Sequence, residues 1–263
     1  MFDEVMQRTA WLVSEWMRVG FVHGVMNTDN MSILGLTIDY GPYGWLEGYD
    51  PSWTPNTTDN EGRRYCYGNQ PQIGLWNLTR LAEALLPLVP KEALEAGLEL
   101  YGQTYNGSFR KALAAKLGLA ELDDDLVKEL FELMAAVETD FTLFFRGLAS
   151  VGETNLVSPL LPAFYAEPDA AHRASLEAWL RRWLAASPDR SGMNAVNPKY
   201  VPRNYLAQQA IDAMAAGDAS VLEKLLKVLE RPYDEQPGNE AFAARRPEWA
   251  RHKAGCSALS CSS

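Results

Sequence analysis

The residues best suited to chemistry lie in one short polar stretch near the start of the chain. His23 opens a loop that runs to Asp29 and Asn30, and Asp39 follows after eight mostly apolar residues. Oxygen atoms of Asn and Asp side chains are ligands for hard divalent cations, and a carboxylate can also accept a proton from a hydroxyl group. The stretch therefore indicates metal-dependent chemistry.

The spacing of these residues matches the order of motifs in kinases. In kinases a loop His-Arg-Asp-Leu-x-x-x-Asn is followed by a short hairpin and Asp-Phe-Gly, and the Asn and the second Asp hold Mg²⁺ against the phosphates. Here His23 and Asn30 have the same separation, and Asp39-Tyr-Gly stands where Asp-Phe-Gly would. Asn30 and Asp39 are therefore candidate metal ligands.

One kinase residue is missing from this pattern. The base Asp would fall at Val25, which cannot accept a proton, and Asp29 is the one carboxylate within the loop. This disfavours an ordinary protein kinase. From spacing alone a second interpretation stays open, in which the polar loop caps a hairpin and Asp29 and Asn30 bond to local backbone.

Apolar spacing predicts the elements that position the polar stretch. A stripe at three- and four-residue intervals predicts a helix over residues 2–18 that stops at Gly20. Residues 31–38 predict two short strands that turn near Gly35. A long loop rich in Gly, Pro and aromatic residues follows over 41–71. From residue 72 onward the chain is predicted to be helical, with patterns over 75–85, 91–117, 122–148, 168–186, 203–215 and 218–230.

Several residues outside the polar stretch are assigned structural roles. Trp16, Trp179 and Trp183 lie on apolar stripes and are predicted to be core residues. Trp11 lies off the first stripe, which favours burial of that helix on two sides. The run from Asp123 to Asp125 predicts a helix start rather than a metal site. Arg245-Arg246 is predicted to be a surface pair.

Composition excludes several classes of protein. The 263 residues are 47% hydrophobic and carry a formal net charge of -10, which argues against broad binding to nucleic acid or anionic membranes. Three cysteines in no metal-binding pattern disfavour a disulfide scaffold or a zinc site. No signal peptide and no membrane-spanning run is recognised, so a cytoplasmic location is expected.

Long runs of the chain closely resemble the selenoprotein O family. The first run is His23-Gly-Val-Met-Asn-Thr-Asp-Asn-Met-Ser-Ile-Leu-Gly, followed by Ile38-Asp-Tyr-Gly-Pro. Further runs are Gly-Asn-Gln-Pro-Gln-Ile-Gly-Leu-Trp-Asn-Leu (68–78) and Asn197-Pro-Lys-Tyr-Val-Pro-Arg-Asn-Tyr-Leu, with Arg246-Pro-Glu-Trp-Ala and the final Cys261-Ser-Ser. The resemblance spans essentially the whole chain, and the first run is highly specific.

The resemblance implies a fold class and an activity. The expected fold is mainly α, the C-terminal large lobe of a protein-kinase-like fold with one short β-hairpin. The expected domains are this lobe over 1–233 and a polar C-terminal tail over 234–263. The family transfers AMP from ATP to hydroxyl groups of Ser, Thr or Tyr in partner proteins, with Mg²⁺ or Mn²⁺. By resemblance Asp29 is the proton acceptor, Asn30 and Asp39 bind the metal, and Asp39 also lies beside ATP.

Family members are much longer, and the part without a counterpart here is the N-terminal one. A glycine-rich loop and a strand lysine should precede the catalytic loop. We therefore expect the chain to be a truncated form that is inactive alone, and a first lobe supplied by a separate chain is the alternative. Two alternatives remain, a non-catalytic helical scaffold or a small-molecule phosphotransferase, and Val25 argues against the second.

A redox role is implied by the same resemblance. Relatives carry selenocysteine or cysteine at the third position from the end, here Cys261, which can pair with a cysteine in the loop after Asp-x-Gly. Pro55 stands where that partner is expected, and Cys66 lies further along the same loop. Cys261 and Cys66 are therefore candidate redox residues, although free thiols are the simpler expectation in a reducing cytosol.

Overall fold

The computed structural model describes residues 1–256 and residue 259, and these are mainly helical. The helices are α1 (Phe2–Val19), α2 (Gln70–Leu85), α3 (Lys91–Leu117), α4 (Asp124–Ala136), α5 (Phe141–Leu148), α6 (Ala170–Ala185), α7 (Arg190–Met193), α8 (Asn204–Ala215) and α9 (Ser220–Leu229). Two short strands, β1 (Phe21–Val22) and β2 (Gly44–Trp45), pair in one sheet. Within the described residues, no helix has the length and apolar character needed to cross a membrane.

Most of the predicted helices are confirmed, and one is wrong. The helix over 91–117 forms at those bounds, and the helices predicted over 2–18, 168–186, 203–215 and 218–230 form within two residues of theirs. The pattern over 122–148 breaks in two, because Val137 is extended and the Asp140 side chain starts α5 by accepting a hydrogen bond from the Leu143 amide. Asp123 starts α4 in the same way, as expected.

The predicted hairpin over residues 31–38 is present only in part. One antiparallel bridge joins Met31 to Thr37, and neither side of it continues as a strand. The turn is where it was expected, since Gly35 has a φ of 69° and its amide bonds to the Ser32 carbonyl at 3.2 Å. A side chain at Gly35 would also meet Arg8, because a Cβ there would lie 2.8 Å from the Arg8 Cβ.

The described residues form two compact units. Unit 1 comprises Met1–Gly44, Pro51–Ala112 and residue 259, and unit 2 comprises Trp45–Asp50 and residues 113–256. In unit 1 the apolar face of α1 packs on α2 and on the start of α3. The buried side chains of this core are Phe2, Val5, Met6, Ala10, Leu78, Ala82, Leu94 and Tyr101.

Helix α1 agrees with the prediction except at Trp11. Gly20 closes the helix with a φ of 80°, and its amide bonds to the Trp16 carbonyl, so the predicted stop is confirmed. Trp16 is buried as expected, but the indole of Trp11 is 56% exposed. Burial of α1 on two sides is therefore wrong at Trp11, and the helix has one buried stripe there.

The centre of unit 2 contains two stacked tryptophans. The rings of Trp179 and Trp183 lie 6.3 Å apart at 7°, and both side chains are almost fully buried, as predicted. Their indole N–H groups donate to the carbonyls of Leu126 and Leu117 at 2.7 and 2.8 Å. Because both polar atoms have partners, the rings add apolar burial without leaving an unpaired donor.

An ion pair in unit 2 is fully withdrawn from solvent. The two guanidinium nitrogens of Arg203 lie 2.7 and 2.9 Å from the two carboxylate oxygens of Asp140, and the side chains are 1% and 0% exposed. Nearby, the buried Asn197 amide accepts from Lys116 Nζ at 2.8 Å and donates to the Lys116 carbonyl. The run from Asn197 to Leu206 therefore contains structural side chains.

Arg246 is not the surface residue that was predicted. Its guanidinium pairs with Glu47 at 3.0 Å and with Glu138 at 2.9 Å, and its side chain is 12% exposed. Arg251 also pairs with Glu138 at 3.0 Å. These pairs attach the stretch after residue 240 to the rest of unit 2. Arg246 is therefore withdrawn from solvent because two carboxylates far away in the sequence, Glu47 and Glu138, bind it.

The Arg203–Asp140 pair yields a stability prediction. Arg203→Met should lower the free energy of unfolding by about 3–5 kcal/mol, because it leaves a buried carboxylate without its cation. Urea denaturation of the variant beside Arg181→Met, an exposed arginine on α6, measures the difference; the control should change by about 0.5 kcal/mol or less. A loss below about 1 kcal/mol for Arg203→Met would contradict the role given to this pair.

Candidate functional site

The stretch from His23 to Tyr43 is bounded by the two strands. β1 ends just before His23, and β2 begins just after Tyr43. Because β1 and β2 pair, the two ends of the stretch lie side by side, and the residues between them form one segment that is closed at its base. The candidate residues Asp29, Asn30 and Asp39 all lie in this segment.

His23 links the loop to the residue before Asp39. Its side chain is fully buried, and Nε2 lies 2.7 Å from the Ile38 carbonyl oxygen. Since only an N–H can bond to that carbonyl, Nε2 carries the proton and Nδ1 is left to accept from the Val25 amide at 3.4 Å. Burial lowers the pKa of His23, against the opposing effects of the Ile38 carbonyl and the Asp39 carboxylate. His23 is a neutral positioning residue.

Two backbone conformations in the stretch are unusual. Gly24 has a φ of 80°, and a Cβ there would lie 2.3 Å from the Pro42 carbonyl oxygen, so no other residue fits without movement. Asp39 has a φ of 49°, in the left-handed region that few residues other than Gly, Asn and Asp adopt. The chain therefore brings the loop and the Asp-Tyr-Gly segment into close backbone contact.

The candidate ligands differ in exposure. Asp29 and Asn30 lie in a single turn of 3-10 helix, Thr28–Asn30, where Asp29 is exposed and Asn30 is half-buried. Asn30 Nδ2 donates to the Val25 carbonyl at 3.1 Å, and this contact orients the amide. Asp39 is exposed and close enough to His23 to affect its pKa. The interpretation that Asn30 bonds to local backbone is confirmed for its amide nitrogen.

The donor set suits only one kind of metal. Among residues 1–256 and 259, no three His, Cys, Asp or Glu side chains cluster in a way that could hold a metal ion. Asn30 and Asp39 would provide an amide oxygen and a carboxylate, which suit a hard cation such as Mg²⁺ that keeps waters and binds phosphates. A metal at these residues would therefore complete its coordination with water and phosphate oxygens.

Three buried amide side chains hold the backbone that leads through the loop. Gln70 accepts from the His23 amide at 3.0 Å and donates to the Phe21 carbonyl at 2.9 Å. Asn56 donates to the Gly24 carbonyl at 3.1 Å, and Asn77 donates to the Met26 carbonyl at 3.0 Å. We call Asn56, Gln70 and Asn77 the amide clamp. All three are buried.

The amide clamp was not identified from the sequence. Gln70 and Asn77 lie within the run 68–78, which carried the resemblance to a family but was given no role. A signal was present for Asn77, because it follows Ile73 by one helical turn on the buried face of α2. A polar side chain on a buried helix face needs a partner, and here the partner is a loop carbonyl. Asn56 carries no comparable local signal.

The cysteine predictions fall partly outside the described residues. Cys66 is buried, with 5% exposure, at the start of the 3-10 helix Tyr67–Asn69. Cys261 lies outside the described residues, so a redox role for Cys66 and Cys261 stays a prediction. Pro55 accepts a hydrogen bond from the Leu259 amide at 2.7 Å, so residue 259 runs beside Asn56.

Comparisons with known proteins agree on one family. The family model described as protein adenylyltransferase SelO matches residues 1–230. A relative named protein nucleotidyltransferase YdiU from Nitrosospira multiformis is 56% identical over 303 residues, covering 100% of this chain and 54% of that protein. Proteins of the same name from Xanthomonas campestris and Rhodopirellula baltica are 56% and 53% identical, covering 100% of this chain and 53% and 54% of their own lengths. The chain spans about half the length of the curated relatives it matches.

The amide clamp yields a prediction about loop order. Gln70→Ala should lower the free energy of unfolding by about 1–3 kcal/mol, because the His23 amide and the Phe21 carbonyl lose their hydrogen bonds to the Gln70 side chain in a buried site. It should also speed hydrogen exchange of amides in residues 21–27, measured by mass spectrometry. Gln72→Ala, at an exposed position on the same helix, is the matched control. Equal exchange in the two variants would show that the clamp does not hold the loop.

His23 yields a prediction about pH. An ordinary His, with a pKa of 6.5, binds a proton in the unfolded chain at a pH where buried His23 does not. The unfolded state then binds more protons, so the contribution of His23 to stability is complete above pH 6.5 and is lost as pH falls below it, at up to about 1.4 kcal/mol per pH unit.

The measurement compares the wild-type chain with His23→Gln by urea denaturation from pH 5 to pH 8 in buffer with EDTA. The stability advantage of the wild type should shrink toward pH 5. His252→Gln, which removes an exposed histidine, is the matched control. A constant advantage across the range would contradict the lowered pKa.

Proposed function

Because the chain belongs to the SelO family of protein adenylyltransferases, we propose that it carries the metal-binding and proton-accepting half of an enzyme that transfers AMP from ATP to protein hydroxyl groups. The kinase-like large lobe is part of this proposal. The order of α1, loop, Asp39-Tyr-Gly and a helical remainder supports it. The partners would be ATP and proteins with acceptor Ser, Thr or Tyr, and the location would be the bacterial cytoplasm.

The observation that carries the proposal is the contact between His23 and Ile38. Through this 2.7 Å hydrogen bond, the loop that ends at Asn30 is tied to the residue before Asp39. The loop that carries Asn30 and the segment that carries Asp39 are thus joined by a hydrogen bond. Such support is what a phosphate site needs, since catalysis of phosphate transfer depends mainly on positioning and electrostatics.

Each residue receives one role in the proposed reaction. The Oδ1 of Asn30 and the carboxylate of Asp39 would hold Mg²⁺ or Mn²⁺, and Asp39 would also lie beside ATP. When bound, the metal would offset the negative charge of the phosphates. The exposed carboxylate of Asp29 would accept the proton of the acceptor hydroxyl, a role that Val25 cannot fill.

The bonds that change follow from these roles. The acceptor oxygen attacks the α-phosphorus of ATP, the bond from that phosphorus to the bridging oxygen of the β-phosphate breaks, and pyrophosphate leaves. Asp29 takes the hydroxyl proton. The product carries AMP on a Ser, Thr or Tyr oxygen. His23 and the amide clamp act only by holding the loop.

We also propose that this chain alone transfers AMP poorly. Its 263 residues contain no Gly-x-Gly-x-x-Gly run, the segment that covers ATP phosphates in kinases. The residues of the loop can hold phosphate oxygens only if other groups fix the adenosine. A chimera in which the chain is joined to the remaining half of the Nitrosospira multiformis relative would provide those groups.

The test uses ATP labelled at either the α- or the γ-phosphate, with Mg²⁺ and a protein acceptor. The chimera should incorporate the α-label and not the γ-label, and the chain alone should be far slower. Asp39→Ala in the chimera should abolish incorporation because the metal loses its charged ligand, whereas Asp125→Ala, at an exposed carboxylate of α4, should not. Incorporation of the γ-label would indicate a phosphotransferase, and no incorporation of either label would favour a scaffold.

A further inference from the structure

A second group of side chains next to the loop has no role in the proposed chemistry. We call it the Arg64–Trp76 surface and define it as Arg63, Arg64, Tyr65, Trp76 and Arg80. Trp76 is 41% exposed, and the guanidinium carbons of Arg64 and Arg80 lie 4.6 and 5.2 Å from its ring centroid. Exposed Trp, Tyr and Arg side chains are the types most often found at binding hot spots.

One buried carboxylate fixes the backbone of Arg64 and Tyr65 in this surface. Asp59 is 9% exposed, and its two oxygens accept from the backbone amides of Arg64 and Tyr65 at 2.8 and 2.7 Å. Arg63 completes the turn with a φ of 46°. These contacts fix the backbone from which the Arg64 and Tyr65 side chains project.

The surface adjoins the candidate catalytic loop. The Tyr65 hydroxyl donates to Asn27 Oδ1 at 2.5 Å, and Asn27 lies two residues before Asp29. A protein segment bound on Arg64 and Trp76 would therefore run toward the proposed proton acceptor.

The Arg64–Trp76 surface carries an excess of positive charge, although the whole chain has a formal net charge of -10. In the part of the chain that the structure describes, Arg63 and Arg64 have no carboxylate within ion-pairing distance; Arg63 donates to Ser52 Oγ at 2.6 Å. Arg80 is paired with Glu83 at 2.6 Å, and the carboxylate of Asp59 is already occupied by backbone amides. Two exposed cations thus remain for an outside partner.

A pocket of about 270 Å³ continues the same surface. Arg80 lines it and also lies over Trp76, and Thr28 lines it next to Asn27. The rest of its wall is largely apolar and includes Val5, Met31, Ile33, Leu78 and Leu81. The pocket could therefore take an apolar side chain of a segment whose charged residues lie on Arg63 and Arg64.

We propose that the Arg64–Trp76 surface binds the segment of the acceptor protein that carries the modified hydroxyl, and that this segment is acidic with one large apolar residue. The assignment of an acceptor rests on the proposed function. The preference for acidic over neutral segments rests on the surface alone. Arg64 and Trp76 are its central contacts, because a guanidinium above an indole is both fixed in place and able to bind a carboxylate.

The test measures binding of fluorescein-labelled peptides to this chain by anisotropy, without ATP. One peptide has a central Ser flanked by Glu and one Leu; in matched peptides Gln replaces the Glu residues, or Ala replaces the Leu. The Glu peptide should bind about tenfold more tightly than the Gln peptide, in line with hydrogen bonds to charged groups. Replacing Leu by Ala should weaken binding, and raised salt should reduce the preference for Glu.

Three variants test whether the peptides bind at the Arg64–Trp76 surface. Arg64→Gln should abolish most of the preference for the Glu peptide, and Trp76→Ala should weaken both peptides, with circular dichroism confirming that each variant is folded. Arg181→Gln removes one exposed positive charge elsewhere and should leave binding unchanged. Equal binding of the Glu and Gln peptides, or equal losses in Arg64→Gln and Arg181→Gln, would overturn the proposal. Tighter binding of a single-stranded oligonucleotide of the same charge would also overturn it.

The two proposals can fail separately. Charge-selective peptide binding that depends on Arg64, with no AMP transfer by the chimera, would support the surface and remove the proposed reaction. AMP transfer at equal kcat/KM to the Glu and Gln peptides, unaffected by Arg64→Gln, would support the reaction and overturn the surface.

Discussion

The candidate site depends on one constraint, the need of buried backbone groups for hydrogen-bond partners. The loop from His23 onward makes no regular helix and only a two-residue strand precedes it, so local structure leaves its amides and carbonyls unpaired. An unpaired buried backbone group costs about 1–3 kcal/mol. Asn56, Gln70 and Asn77 meet this need from 32 to 51 residues away. The Gln70 amide both accepts from the His23 amide and donates to the Phe21 carbonyl, which no carboxylate or ammonium group could do at neutral pH, while Asn56 and Asn77 donate to loop carbonyls.

The same constraint explains the environment of His23. A neutral imidazole can donate at one nitrogen and accept at the other, and both are used, at the Ile38 carbonyl and the Val25 amide. Protonation of Nδ1 would remove the acceptor of the Val25 amide and would place a positive charge in a buried site. Histidine here serves the geometry of the loop, whereas the carboxylates of Asp29 and Asp39 are exposed.

The runs that carry the family resemblance divide into different physical roles. Asn197 and Arg203 are buried partners of Lys116 and Asp140 within unit 2, and Arg246 is paired with Glu47 and Glu138. Gln70 and Asn77 hold the loop. Asp29, Asn30 and Asp39 offer side chains suited to metal or proton chemistry. Membership of a shared run therefore does not fix the role of a residue, and the contacts in the structure are needed to assign it.

The sequence by itself determined most of the helices, the order of loop and Asp-Tyr-Gly, and the family, because helical periodicity and short motifs are local properties. The helix over 91–117 was predicted at its observed bounds for this reason. Only the tertiary structure decided the pairing of β1 with β2, the reduction of the hairpin to one bridge and the pairing of Arg246 with Glu47 and Glu138. Strands of two residues have no period, and an arginine or an amide is buried or exposed according to partners that lie tens of residues away. Those partners are set by the path of the folded chain, which no local pattern contains.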